Sequence, residues 1–268
     1  MKKFTITILL ATSCFLFGQS FGQNKVQYRE FDWDFISSPN FDVYYYGDQI
    51  ELATFTMEAA NEAYEQIGKH LRWNLKKRVP IIVYHSHNEF QQNNAVGVYM
   101  SEGIGGVTEL FKNRVVIPFE GDYKAFRHVI HHELVHAMIN DLIYGGRMQN
   151  VASGQVTWSM PLWANEGLAE YLSSNWDTEA DMVIRDLAIN ERIPTVKELE
   201  YYLAYKGGQS VWRFIAKKYG REKIGEVFQS MKRLRSAEKG FKSAIGMDYE
   251  ELTEQWHKYI KKEYWPDI

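Results

Sequence analysis

The pattern of apolar and polar residues predicts strands alternating with a helix over the first half of the chain. Phe41–Tyr46 and Val79–His85 are rich in aromatic and β-branched residues, which favours two strands. Between them, Glu51–Leu71 carries apolar side chains near helical spacing and predicts an amphipathic helix. Val107–Phe111 and Arg114–Pro118 then predict a hairpin with a short turn.

Helices dominate the pattern in the second half. Asp122 is a favourable N-cap for a helix over Tyr123–Asp141, and Trp163–Ser174 predicts a further helix. Other helix boundaries are indicated at Thr195, Tyr219-Gly220 and Asp248. We therefore predict one domain with an α+β fold. Residues 23–145 would form an N-terminal α/β lobe with a small sheet over the Asp122-capped helix, and residues 146–268 a helical C-terminal lobe.

Residues 1–22 have the features of a secretory signal peptide rather than of a folded element. Two lysines at the start are followed by an apolar stretch and by small residues at Ser20 and Gly22. We therefore expect the protein to be exported to the periplasm or the extracellular space. Cys14, the only cysteine, lies inside the apolar stretch, and the alternatives are lipidation at this residue and a retained membrane anchor.

Charge and hydropathy argue against some classes of partner. The chain has 31 basic and 34 acidic residues and a formal net charge of -3, which gives no electrostatic case for binding nucleic acid. No segment after the signal peptide is apolar enough to cross a membrane. The candidate chemistry must therefore come from individual side chains.

The strongest chemical signal is His132-Glu133-Leu134-Val135-His136, within the predicted Asp122-capped helix. Residues four apart share one face of a helix, so His132 and His136 can bind one metal ion together. Glu133 lies on the adjacent flank, where its carboxylate can act as a general base without filling a coordination position. Two surface histidines are the simpler interpretation. However, apolar residues surround the motif, and burying two histidines without a partner is costly.

A neighbouring histidine offers a second pairing. His128 lies one turn before His132, so the two residues also share a helix face. This pair lacks the glutamate spacing of the HExxH motif, and we expect His128 to be a bystander or to support a ligand. His131 points to a different face of the helix.

A second motif, Asn165-Glu166-Gly167, lies in a segment of the form W-x-N-E-G-x-A-x-Y. Together with HExxH, this segment resembles the gluzincin metallopeptidases, which include thermolysin-like and aminopeptidase-N-like enzymes. The resemblance implies one zinc ion per chain, with His132, His136 and Glu166 as the protein ligands. It also implies that Glu170 orients the first zinc histidine.

Further segments extend the resemblance. Tyr205-Lys206-Gly207-Gly208-Gln209-Ser210-Val211 is similar to the Y-x-K-G-x-x-V segment of aminopeptidase-N-like enzymes, which implies that Tyr205 stabilises the tetrahedral intermediate. Gly106-Val107-Thr108-Glu109 is similar to an upstream Gly-x-x-Glu motif, which implies that Glu109 binds a substrate amino group. The two zinc-ligand motifs are farther apart than in those enzymes, which predicts a loop around Tyr144–Met160 beside the cleft. The whole chain resembles the exported bacterial peptidase-MA-like domain that a Tol-associated β-propeller often follows.

These features predict a zinc metallopeptidase with its cleft between the two lobes, Glu133 as general base and Tyr205 as electrophilic helper. One hairpin strand would form the upper edge of the cleft and pair with an extended peptide or protein substrate. Gly103, Gly105 and Gly106 before the hairpin indicate backbone that runs close to another part of the chain. The alternative is a catalytically inactive zinc-binding recognition module with a partner in the cell envelope. The intact Glu133 argues against it, because a structural zinc site needs ligands but no base.

Overall fold

The computed structural model describes residues 25, 27–95, 103–110, 112–145 and 160–265. The predicted signal peptide and most of the predicted Tyr144–Met160 loop lie outside these residues. Over the described part the fold is α+β, as the sequence predicts. A mixed five-stranded sheet with its helices is followed by a largely helical C-terminal portion.

The sheet contains strands β1 to β5 in the spatial order β1-β2-β3-β5-β4. They are β1 (Trp33–Ser37), β2 (Phe41–Tyr46), β3 (Val79–Tyr84), β4 (Val107–Glu109) and β5 (Arg114–Pro118). The three central strands are parallel, and both edge strands run antiparallel to their neighbours. The hairpin prediction is confirmed as β4 and β5, although β4 ends earlier than predicted. The sequence analysis does not predict β1, which has four exposed residues out of five and depends on pairing with β2 rather than on burial.

Side chains alternate between the two faces of the sheet, as strand geometry requires. Val43, Ile81 and Ile117 lie on the inner face and belong to the main hydrophobic core beneath the helices. Tyr84 and Val116 lie on the outer face, in a smaller apolar cluster. The HExxH helix contributes Ile130 and Leu134 to the same main core and therefore packs on the inner face.

The helices are α1 (Ile50–Leu71), α2 (His87–Phe90), α3 (Tyr123–Tyr144), α4 (Leu162–Ser174), α5 (Thr178–Ile189), α6 (Tyr201–Tyr219), α7 (Glu222–Leu234), α8 (Ala237–Ile245) and α9 (Tyr249–Tyr264). Asp122 caps α3 as predicted, by accepting hydrogen bonds from the backbone N–H groups of Lys124 and Ala125. The helix starts predicted at Thr195 and Asp248 both carry capping boxes, but the first opens only a 3₁₀ turn, Val196–Glu198.

Helix α3 connects the two portions of the fold. It packs beside α1 and contacts β4 and β5, and its other side contacts α4, which in turn crosses α6. Residues on α3 therefore face both the edge of the sheet and the first helices of the C-terminal portion. None of the described helices combines the length and the apolar character needed to cross a bilayer.

Candidate metal centre

Two helices bring three donor atoms together in the cleft. Helix α3 presents His132 and His136 on one face, and α4 presents Glu166 toward them. His132 Nε2 and His136 Nε2 are 3.2 Å apart, and Glu166 Oε2 lies 3.3 Å from the first and 3.2 Å from the second. The three atoms form a nearly equilateral triangle, and the three residues are a candidate metal-binding group.

The triangle has the size expected for one face of a tetrahedral metal site. Ligand atoms about 2.0–2.1 Å from a tetrahedral ion are about 3.3 Å from one another. The observed separations of 3.2–3.3 Å agree with that value. Two imidazoles and one carboxylate at this spacing therefore fit a single divalent cation.

Carboxylates make this place attractive to positive charge. Burial alone would lower the pKa of His132, but hydrogen bonds with Glu166 and Glu170 outweigh burial and raise the pKa. Burial alone would raise the pKa of Glu166, but the neighbouring His136 and His132 hold it well below its usual range. The carboxylates therefore favour positive charge at His132, and the histidines keep Glu166 ionised.

Glu170 lies on the side of His132 that faces away from the triangle. Its Oε1 is 3.0 Å from His132 Nδ1, so the ring can donate to Glu170 and keep Nε2 for a metal. Burial would raise the pKa of Glu170, but hydrogen bonds with His128, His132 and Lys206 hold it well below its usual range. The structure thus places Glu170 where an orienting acid would lie.

His128, His132 and Glu170 form a second candidate group of metal ligands. Its chemistry is less favourable, because Lys206 Nζ already lies 2.8 Å from Glu170 Oε2 and its charge opposes a second cation. His132 would also have to bind through Nδ1 instead of Nε2. The triangle of His132, His136 and Glu166 is therefore the better candidate metal centre.

The predicted base, Glu133, is buried beside the triangle and is held by the edge strand β4. Thr108 Oγ1 lies 2.6 Å from Glu133 Oε2 and donates a hydrogen bond to this carboxylate. A Cβ added to Gly106 would sit 2.9 Å from both Glu133 Cγ and Ile117 Cγ2, whereas one added to Gly103 would meet none of the described residues within 4 Å. The predicted close approach of the glycine loop is therefore confirmed at Gly106, which passes close to Glu133 and to β5.

Tyr205 reaches the same centre from α6. Its ring stacks on that of His132, with centroids 6.1 Å apart and an interplanar angle of 14°. Burial raises the pKa of the phenol, and the charge and hydrogen bond of Glu166 raise it further. The hydroxyl is therefore a protonated donor beside the metal ligands. Tyr205 lies in the second turn of α6, which begins at Tyr201.

Two glycines allow α4 and α6 to cross at backbone contact. A Cβ at Gly208 would lie 2.2 Å from the backbone oxygen of Trp163, and a Cβ at Gly167 would lie 2.3 Å from the backbone carbon of Gly208. Backbone atoms cannot turn away as a flexible side chain can, so glycine is required at both positions. The two glycine-containing motifs are separate in the sequence, but in the fold their glycines meet.

Two cavities of about 510 Å³ and 520 Å³ meet at His132, Glu133 and Tyr205 and together form one cleft. The lining of the first includes the polar side chains of His128, Glu170, Glu179, Tyr202 and Lys206. The lining of the second is more apolar and includes Val107, Leu110, Ile139, Tyr144 and Met160.

Among the described strands, β4 lies at the edge of the sheet beside this cleft, whereas β5 pairs with a strand on both sides.

Glu109 lies apart from this cleft. Thr108 points toward Glu133, so side-chain alternation along β4 directs Glu109 to the outer face of the sheet. There Glu109 pairs with Arg114, whose Nε lies 2.5 Å from its Oε2. The prediction that Glu109 binds a substrate amino group finds no support in this geometry.

An α+β fold with an HExxH helix, a glutamate on the next described helix and an edge strand along the cleft defines a class of metallopeptidase-like proteins. The family model of the peptidase MA superfamily matches residues 59–262 of this chain. The chain belongs to this superfamily, which confirms the resemblance drawn from the motifs and implies a protein or peptide substrate. No curated protein matches the chain significantly.

Proposed function

We propose that the protein is a zinc-dependent metallopeptidase in which Glu133 is the general base. The observation that carries this proposal is the triangle of His132, His136 and Glu166 in an open cleft. Glu133 lies next to the triangle and is not one of its three candidate ligands. Catalytic zinc sites use three protein ligands, including the two-histidine and one-glutamate set, and leave one position for water or substrate. Borderline-soft zinc suits this mixture of imidazole and carboxylate.

The residues divide the work of hydrolysis among them. When bound, zinc supplies a Lewis acid that polarises the scissile carbonyl and acidifies water. Glu133 takes a proton from the attacking water, whose oxygen bonds to the carbonyl carbon, and gives that proton to the leaving amine nitrogen as the C–N bond breaks. The Tyr205 hydroxyl donates to the oxygen on which negative charge develops.

The edge strand β4 is the proposed binding surface for the substrate backbone. Among the described strands it pairs with β5 alone, and it lines the cleft through Val107 and Thr108. An extended peptide can add to such an edge by main-chain hydrogen bonds. We further propose, from the predicted signal peptide alone, that this activity lies outside the cytoplasm.

The test compares the parent with Glu133→Gln for zinc content and for hydrolysis of casein and a peptide library. We expect one zinc ion per chain in both proteins and a rate lower by about 100- to 10,000-fold in the variant. Glu65→Gln, which changes an exposed acid on α1, is the matched control and should keep the parental rate. A Glu133→Gln protein that keeps zinc and the parental rate would refute the role of Glu133.

The rival is a zinc-binding recognition module without catalysis. It predicts that the parent binds zinc yet cleaves no peptide across a broad library. The structure gives the rival less support than the peptidase, because His132 and Glu133 line both cavities of the cleft. A recognition module would have no use for a base held beside its metal.

A further inference from the structure

A buried lysine lies behind the metal centre, and the proposed mechanism does not use it. Lys206 is only 7% exposed, and a buried ammonium group is costly unless carboxylates surround it. Its Nζ lies 2.8 Å from Glu170 Oε2, 3.2 Å from Glu179 Oε2 and 3.6 Å from Asp177 Oδ2. Of these three acids, Glu170 is the one that also contacts a proposed zinc ligand.

Glu170 joins Lys206 to His132 through its two oxygens. Oε2 accepts from Lys206, while Oε1 lies 3.0 Å from His132 Nδ1. A carboxylate held at both oxygens cannot rotate freely about its last bond, so the direction of Oε1 is fixed. An alternative partner is close, because His128 Nε2 lies 3.5 Å from the same Oε1.

We propose that Lys206 is a positioning residue that fixes Glu170 so that this acid supports His132 rather than His128. His132 then keeps Nε2 directed at the metal. The inference rests on the proposed zinc site and deepens it. Side chains that contact and orient metal ligands contribute about 10- to 100-fold in metal affinity. Lys206 contacts Glu170 and not a ligand itself, so we expect its contribution to be about tenfold.

The sign of the effect distinguishes positioning from other roles. Loss of a positive charge near a cation site would, by Coulomb's law alone, make zinc bind more tightly. A purely structural role is also conceivable, since Lys206 ties α6 to α4 and to the start of α5. Such a role would lower the stability of the folded protein and leave zinc affinity unchanged. Weaker zinc binding is the result that positioning predicts.

The experiment measures zinc affinity by chelator competition in the parent, Lys206→Met, Lys206→Arg and Lys217→Met. Lys206→Met should bind zinc about tenfold more weakly, and Lys206→Arg, which keeps the charge and the donors, should recover most of the affinity. Lys217 is a matched control on the same helix, where it pairs with Glu263 at 3.2 Å. Its methionine variant should bind zinc as the parent does. Equal or tighter binding by Lys206→Met would overturn the proposal.

A double variant keeps the test valid if Lys206→Met, which leaves the buried Glu170 without its lysine partner, fails to fold. The Glu170→Gln/Lys206→Met protein loses both charges and avoids that penalty. Because Lys206 acts through Glu170, the double variant should bind zinc as Glu170→Gln alone does. A further loss of affinity in the double variant would overturn the proposal.

The readout separates this inference from the proposed function. A parent protein that binds zinc but cleaves no peptide refutes the peptidase proposal and leaves the Lys206 result interpretable. A parent that binds no zinc refutes both proposals, since neither survives without the metal centre.

Discussion

The sheet side and the helical side of the cleft hold their residues by different means. On the sheet side, Glu133 is held by one hydroxyl, that of Thr108, and by the close passage of Gly106. On the helical side, the third candidate metal ligand, Glu166, is positioned by backbone contact between α4 and α6 at Gly167 and Gly208. A single hydrogen bond can be lost without moving the chain, whereas a backbone crossing cannot change without moving two helices.

Because the two sides hold their residues differently, we expect substitutions on the sheet side and at the helix crossing to have different effects. Changes on the sheet side should lower the rate of hydrolysis and leave zinc bound, because β4 contributes no metal ligand. Changes at the helix crossing should weaken zinc binding and folding together, because α4 carries Glu166 and the orienting Glu170. In the proposed peptidase, the edge strand therefore serves the base and the substrate, and the helical crossing serves the metal.

Tyr205→Phe tests whether the helical side also supplies chemistry. Removing one donor to the developing oxyanion should lower turnover about 100- to 1000-fold, equivalent to about 3–4 kcal/mol. The binding of zinc and of substrate should change little, so the loss should appear in kcat rather than in KM. Steady-state kinetics with a peptide substrate and a zinc assay measure both quantities.

Tyr201→Phe is the control for that variant, because Tyr201 lies on the same helix and is 83% exposed. It should keep the parental kcat. Parental turnover in Tyr205→Phe itself would assign Tyr205 to packing against His132, and the helical side would then serve the metal alone.

Gly208→Ala tests the backbone crossing. The added Cβ would lie 2.2 Å from the backbone oxygen of Trp163, so one helix must move. Overpacking of this kind costs about 1–3 kcal/mol of unfolding free energy. The same movement would displace α6 relative to α4, and zinc affinity should fall with stability. Denaturant unfolding and chelator competition measure the two effects.

Gly103→Ala is the control for stability, since its Cβ would meet no atom of the described residues within 4 Å and its backbone is not in the left-handed region. It should unfold at the parental denaturant concentration. A Gly208→Ala protein with parental stability and zinc affinity would show that the crossing can relax, and the contrast between the two sides would fail.

Much of the site could be predicted because its residues lie in local motifs. The HExxH spacing of His132 and His136 fixes their common helix face, and the α3 cap at Asp122 follows from the same local rules. Glu166 needed the family resemblance, because a glutamate on a helix is otherwise common. The predicted ends of the strands and helices fall within a few residues of those in the structure. The exception is the helix predicted after Thr195, which is only a 3₁₀ turn.

The residues that the sequence analysis missed are those whose partners are distant in the chain. Thr108 supports a base 25 positions later, and Lys206 supports an acid 36 positions earlier. Thr108 lies in the segment that was considered because of Glu109, and Lys206 lies in the segment that was considered because of Tyr205. The alternation of side chains along a strand predicts that Thr108 and Glu109 lie on opposite faces of the sheet. It does not predict which of the two faces the candidate metal site.

Thr108→Val is the mildest test of the comparison, because it removes one hydroxyl from the sheet side and nearly preserves shape. A hydrogen bond to a charged group contributes about 1.5–3 kcal/mol. Part of that effect is offset, because a carboxylate with one donor fewer is a stronger base. We therefore expect kcat to fall about tenfold, with zinc content unchanged. Thr108→Ser restores the hydroxyl and should restore most of the rate. If Thr108→Val keeps the parental kcat, the loop at Gly106 alone positions Glu133; if it loses zinc, β4 supports the metal and the two sides are not independent.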